Sequence, residues 1–308
     1  MKAPHKLLIS MVLLAVIAWG PARAATLTGG CWPLGHDKAT LLEMRASGFA
    51  IEDPDQRRQF ALGLLDCLGS PDPVLRDQVA YEGYAALLRG RQLDVDTIRE
   101  LRIALLDQLA DVAADQQGFR RPFAALVLSE VARADRIEPV FTDEERAVWV
   151  TAACDYMHSI DDYRGFDEVA GWRHGVAHDA DLLMQLALNP ALDRAQLLEI
   201  RNAVATQIAP PGTHFYIYGE SGRLARPILF IAMRGILTQK EWTDWFGEIA
   251  SPDPFGAWSE VFTSQAGLAK LHNTRAFLEA IYVNATASDN EALAPLRSAA
   301  LGGLRGLP

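Results

Sequence analysis

The chain has 308 residues, a formal net charge of −10 and 22% charged residues. Such a length leaves room for one large domain with a sizeable core. The acidic balance repels phosphate backbones and anionic headgroups, which argues against nucleic acid as a partner. There is no glycine-rich phosphate loop, nucleophile elbow or dinucleotide fingerprint, so no organic cofactor is expected.

In chain order, Lys2 and Lys6 precede an apolar run of 13 residues, Leu7–Trp19, with Ser10 its one polar member. Gly20-Pro21 and then Ala22-Arg23-Ala24 follow, the n-region, h-region and small-x-small order of a secretory signal peptide. The run falls short of the ~20 residues that cross a bilayer. Residues 1–24 are therefore expected to be a signal peptide and residues 25–36 an N-terminal tail. Cleavage removes two lysines, one arginine and no acid, moving the net charge from −10 to −13. A periplasmic or secreted protein without membrane attachment is the expectation. In an oxidising compartment Cys31, Cys67 and Cys154 allow one bridge. Cys67 and Cys154 both read as small core residues; for a bridge, Cys31–Cys67 is the preferred pair, since Cys31 lies in a tail that needs tethering.

From residue 37 onward helical periodicity dominates. Ile98, Leu101, Leu105, Leu109 and Val112 recur at steps of three and four, and over 72–89 the corresponding set is Val74 or Leu75, Val79, Tyr81, Ala85 and Leu88. Thr142 followed by Asp143-Glu144-Glu145 marks a capped first turn. Gly, Pro and Asp clusters at 69–73, 210–212 and 251–254 mark boundaries. The one candidate strand, which could equally be an extended loop, is His214–Tyr218. About a dozen helices with short connections predict an all-α domain over residues 37–302, followed by a C-terminal tail at 303–308. Its expected architecture is a superhelix of antiparallel helical hairpins, a HEAT-like α-solenoid, with an α/α toroid as the alternative.

One segment carries unusual chemistry. At helical spacing His174, His178, Asp181 and Gln185 fall on one stripe between apolar shoulders, where a solvated face would carry Lys or Glu. Asp181 is placed to fix the tautomer of His178. Trp172, Arg164, Glu220, Arg223, His272 and Asn273 are further candidates for a pocket around that helix. Glu220 and Arg223 are three apart and read first as a helical ion pair. His174 and His178 could share a divalent metal ion, which is the one candidate for an inorganic cofactor. The Trp242, Trp245, Phe246, Phe255, Trp258 cluster reads as core.

These motifs resemble a bacterial domain-of-unknown-function family, number 2785. The resemblance rests on Leu68-Gly69-Ser70, Arg76-Asp77, Arg120-x-Pro122-Phe123, Arg164-Gly165-Phe166, Gly171-Trp172-x-His174-x-x-Ala177-His178-x-Ala180-Asp181, Glu220-x-x-Arg223-Leu224 and Asn273-x-x-x-Phe277-Leu278. It spans about residues 60–285 and implies a helical fold with no assigned activity. The residues themselves lead to an expected binding or scaffolding module for a small ligand, peptide or protein. The alternative is a hydrolase, either metal-dependent or using a His178–Asp181 general base.

The export reading has a direct consequence. Intact mass of the protein made with its own leader in a Gram-negative host should show a chain beginning at Ala25. Uncleaved chain in the cytosol would sink it.

Overall fold

The computed structural model describes residues 31–308, so the signal peptide and residues 25–30 of the expected tail lie outside the described residues. Among the described residues, twelve α-helices and one two-stranded hairpin, joined by short 3-10 and π-helical segments, carry the fold. The helices α1 (Lys38–Ala46) and α2 (Pro54–Gly63) come first, then α3 (Glu82–Arg89), which continues a π-helical segment, Val74–Tyr81. Next are α4 (Val95–Ala110), α5 (Arg120–Ile137) and α6 (Asp143–Ser159). The strands β1 (Phe166–Asp167) and β2 (Gly171–Trp172) lead into α7 (Gly175–Ala187). The chain closes with α8 (Arg194–Ile208), α9 (Glu220–Met233), α10 (Gln239–Ile249), α11 (Gln265–Thr286) and α12 (Ala294–Gly306).

Several starts follow directly from the sequence. Asp37, Asp53, Asp94, Thr142, Asp193, Thr238 and Ser264 each cap a first turn with the side chain. At Thr142, Asp193 and Thr238 a reciprocal Glu or Gln completes a capping box. The last helix runs through Gly306, so the C-terminal tail expected from residue 303 is helical for most of its length. The candidate strand His214–Tyr218 is a loop, and the two strands lie at 166–172 instead. Four strand residues around a tight turn give no alternation to read.

Packing follows chain order in two rows. In one row α3, α5, α7, α9 and α11 are successive neighbours; in the other α4 lies against α6 and α6 against α8. Neighbours across the rows pair as α4 with α5, α6 with α7 and α8 with α9. Helix α7 touches α5, α9, α6 and α8, and every residue from Gly175 to Leu183 is buried. At the N-terminus Cys31 and Cys67 are joined by a disulfide, Cα–Cα 4.6 Å. A turn at Pro33 lies so close to Gly63 that a Cβ there would be 3.1 Å from the Pro33 Cα. The expected tail is thus anchored from Cys31. Of the aromatic cluster, Trp242, Trp245 and Phe246 are core residues, while Phe255 and Trp258, in the loop after α10, are only half-buried.

One buried ion pair ties three elements together. Asp135, on α5, accepts from Arg146 Nε at 2.7 Å and Nη2 at 2.9 Å, and from the Val140 and Phe141 amides. The Asn189 side chain, in the loop after α7, adds a bond at 2.9 Å. Burial alone would raise this carboxyl, but Arg146 and the two amides together hold it below the usual carboxylate range. Its folded pKa is depressed, so its stabilisation is present above the unfolded value of about 4 and is lost as pH falls through the folded pKa. Asp135→Ala strands Arg146 and should cost roughly 3–5 kcal/mol. Thermal melts at neutral pH should drop by on the order of ten degrees, with the gap to wild type closing in acid. A loss of a degree or two would show that the pair is not the tie described.

Candidate functional site

The site is built from two loops and the starts of two helices. The hairpin turn is closed by Asp167, whose side chain accepts from the Val169 and Ala170 amides at 2.9 and 2.7 Å. Gly171 has φ +72°, and a Cβ on it would meet Arg76 Nη2 and Pro73 Cβ at 3.0 Å. That close approach lets the fully buried Arg76 reach across from the π-helical segment. Its Nη2 donates to Ala170 O at 2.8 Å, its Nη1 to Ser70 O at 3.0 Å and its Nε to Asp77 at 2.8 Å. Phe119 lies between two guanidinium groups, Arg76 and Arg173, each 4.2 Å from its ring centre. Such cation–π contacts strengthen where water is excluded. The loop before α7 is thereby fixed from below.

This loop delivers His174 in the left-handed region, φ 57° and ψ 39°, at the cap of α7 rather than within it. A non-glycine residue there is strained. The His174 amide donates to Arg164 O at 3.1 Å, and Arg173 to Gly165 O at 3.0 Å. The Trp172 ring stacks on His174 at 4.8 Å, and Tyr218 meets Trp172 edge-on at 5.6 Å. Gly165 leaves the space that Tyr218 fills; any Cβ there would overlap the ring.

The second loop, 209–219, ends at Gly219 with φ 88°, and α9 begins with Glu220. Glu220 Oε2 accepts from the Tyr218 amide at 2.9 Å, while Oε1 stands 3.7 Å from His174 Nε2. Behind this loop Asn273 accepts from the Tyr216 amide at 2.9 Å and donates to His214 O at 3.0 Å. His272 Nε2 lies 3.3 Å from Tyr216 O. His272 and Asn273 therefore hold the loop rather than line the site.

His174 is 8% and Glu220 2% exposed, and neither His174 Nε2 nor Glu220 Oε1 has a hydrogen-bond partner among the described residues. Burial, and then the charge of Arg223, push the His174 imidazole down to about 4, so it is neutral at physiological pH. Both side chains line a narrow crevice with Asp162, Tyr163, Arg164 and Tyr216. The first three of those also border a wider cleft of about 550 Å3 that includes Phe166, Arg173 and Tyr218.

The stripe expected on α7 divides. His178 packs edge-on against Phe123 at 5.0 Å, with its ring centre 5.8 Å from His174, and its Nδ1 has no partner among the described residues. Burial holds it well below the usual imidazole range. Asp181 is not its partner: it is engaged by Arg223 and by Arg226, the latter at 3.2 Å. The His178–Asp181 general base is therefore not assembled, because two arginines on α9 claim the carboxylate first. Arg223 is thereby also separated from Glu220, so the helical pair expected between them does not form. Burial raises the Asp181 carboxyl even against its two arginines. Gln185 lies farther along and accepts from Arg136 at 3.4 Å. Of the candidates, Arg164, His174 and Glu220 line the crevice and Trp172 stacks on His174, with the Arg223–Asp181 pair between α9 and α7.

No group of three His, Cys, Asp or Glu residues with metal-holding geometry occurs among the described residues. His174 and His178 would be two ligands without a third. Asp179, which sequence reasoning passed over, is fully buried with both carboxyl oxygens unpartnered among the described residues.

A family model described as a protein of unknown function (DUF2785) matches residues 105–283, from within α4 to within α11. The chain belongs to this family. The match takes in both loops, His174, Glu220 and Asn273, and leaves out Arg76. No curated protein and no solved structure matches the chain.

Asp179 makes the central helix sensitive to alkali. Burial raises its carboxyl well above the ordinary range, so its contribution is fully present below the unfolded pKa of about 4 and is lost as pH rises. In melts from pH 3.5 to 8, Asp179→Asn should gain on wild type steadily as pH rises above about 4. A gap that stays constant, or narrows, with rising pH would show that Asp179 ionises freely.

Proposed function

We propose that this protein is an exported binding module whose ligand enters the aromatic cleft and reaches the His174–Glu220 pair at its base. The observation that carries the reading is the pair itself. Two nearly inaccessible polar side chains, on elements held by separate tethers, leave Nε2 and Oε1 without partners beside one crevice. Buried polar atoms are nearly always satisfied, and an unsatisfied one costs about 1–3 kcal/mol. A ligand that satisfies both offsets that cost. With His174 neutral and the cleft walled by Phe166 and Tyr218, the ligand is a flat or apolar group bearing an N–H or O–H donor. A small molecule or a peptide side chain meets that description.

A second reading, hydrolysis with His174 as general base oriented by Glu220, is supported by the 3.7 Å approach of the two groups. It requires activity that rises through pH about 4 and stays level to neutrality.

The wider architecture suits binding. The successive packing of α3, α5, α7, α9 and α11 supports an open HEAT-like superhelix, since no extensive contact joins α1 or α2 to α11 or α12 among the described residues. Export is supported by the leader pattern and by the Cys31–Cys67 bridge, which suits an oxidising compartment. No helix of the described residues is long and apolar enough to cross a membrane.

A fragment screen by NMR tests the site. Ring compounds bearing an amine or hydroxyl should shift the Trp172 indole signal and bind at least ~10-fold more weakly to Glu220→Gln, the size of effect a lost hydrogen bond to a charged group produces. The variant should melt within a few degrees of wild type. Fragments that bind elsewhere, or that ignore the substitution, would sink the proposal.

A further inference from the structure

We propose a second ligand site, in a cavity between α3, α4 and α5, that takes a single-chain amphiphile with an anionic head. The cavity holds about 330 Å3 and lies away from the His174 cleft, sharing no lining residue with it. That volume is at the lower end of ligand sites and suits a medium-length alkyl chain. Its floor is apolar, made by Leu88, Leu93, Ile98, Ala134 and Val140. At the mouth Val95 and Ile137 are exposed apolar side chains that extend the apolar floor to the rim.

The rim is cationic in a chain whose net charge is −10. Arg89, Arg91 and Arg133 all border the cavity. Arg89 is engaged from beneath by the buried Glu130, its Nε donating at 2.9 Å, and keeps about half its side chain exposed. Arg91 meets the exposed Glu138 only at 3.9 Å. Arg133 has no carboxylate partner among the described residues. Three guanidinium groups against two acids leave a positive edge over an apolar floor.

The backbone supports a selected rim. Arg91 has φ 53°, the left-handed position just past the end of α3 where glycine is the usual choice. An L residue there is strained, and such strain gathers at ligand sites. Glycine directly precedes it at 90, so the helix end keeps an arginine where the strain falls. A carboxylate or sulfonate head would take the open fork of Arg133 bidentately, and its tail would displace water from the floor.

Decanoate below its micelle concentration is the probe, titrated calorimetrically into the purified protein. It should bind saturably with one equivalent. Arg133→Ala, at a half-exposed position that leaves the fold intact, should weaken binding at least tenfold; decanol should bind wild type correspondingly weakly. Ala134→Phe, which fills the cavity, should abolish binding, and His174→Ala should bind like wild type. Three results would overturn the proposal: no saturable binding, an Arg133→Ala protein that binds decanoate unchanged, or association only with anionic vesicles.

Discussion

A helix buried on all sides must dispose of every polar group it carries. Helix α7 sits between α5 and α9 in its own row and against α6 and α8 in the other, so none of its first nine residues reaches solvent freely. Yet it carries His178, Asp179 and Asp181, and begins at His174. Much of the surrounding structure can be read as the solution to that constraint. Asp181 draws Arg223 and Arg226 inward from α9; His178 gives up its charge and packs on Phe123. Burial pushes the Asp179 carboxyl well above the ordinary range. His174 alone escapes the helix, and its imidazole is left facing Glu220. A charge that cannot be hydrated is either paired or neutralised, and α7 shows both outcomes within four residues.

The strain at His174 has the same origin. His174 is the cap of α7, and its left-handed backbone sets it outside the helix. The left-handed turn lifts it toward the cleft, and Trp172 then stacks on its face. The cost of about 1–2 kcal/mol for such a residue is offset by the loop's anchors, the backbone bonds to Arg164 and Gly165 and the Arg76 reach to Ala170. Glycines at 165 and 171 are required here because side chains, not solvent, occupy the space a Cβ would need.

Helix content, the cap at Thr142 and the buried face of α4 from Ile98 to Leu109 could be read directly, because each depends on residues within one or two turns. The Cys31–Cys67 pairing agrees with the expectation that the tail carrying Cys31 needs a tether. Gly171, Trp172, His174 and Asp181 stood out because imidazoles and carboxylates are rare between apolar shoulders. Their partners could not be read. Which acid meets which base depends on how α9 is rotated against α7, and periodicity is silent on rotation. So Asp181 was matched to His178 on its own helix when Arg223, 42 residues on, was the real partner. Nor could His174's exit from the helix be anticipated, since the signal is a tether from Arg76, 94 residues before the carbonyl it holds.

Those long tethers set an order on the assembly of the molecule. Most helix contacts join neighbours in the chain and can form as each hairpin is completed. The two loops are different, for one is fixed by Arg76 near the beginning and the other by Asn273 near the end. Loop closure over such separations brings no return until both anchors are in place. A chain lacking α11 would therefore have most of its scaffold and no site, whatever its helix content. The site is a property of the finished molecule alone, because its two loops are held from opposite ends of the chain.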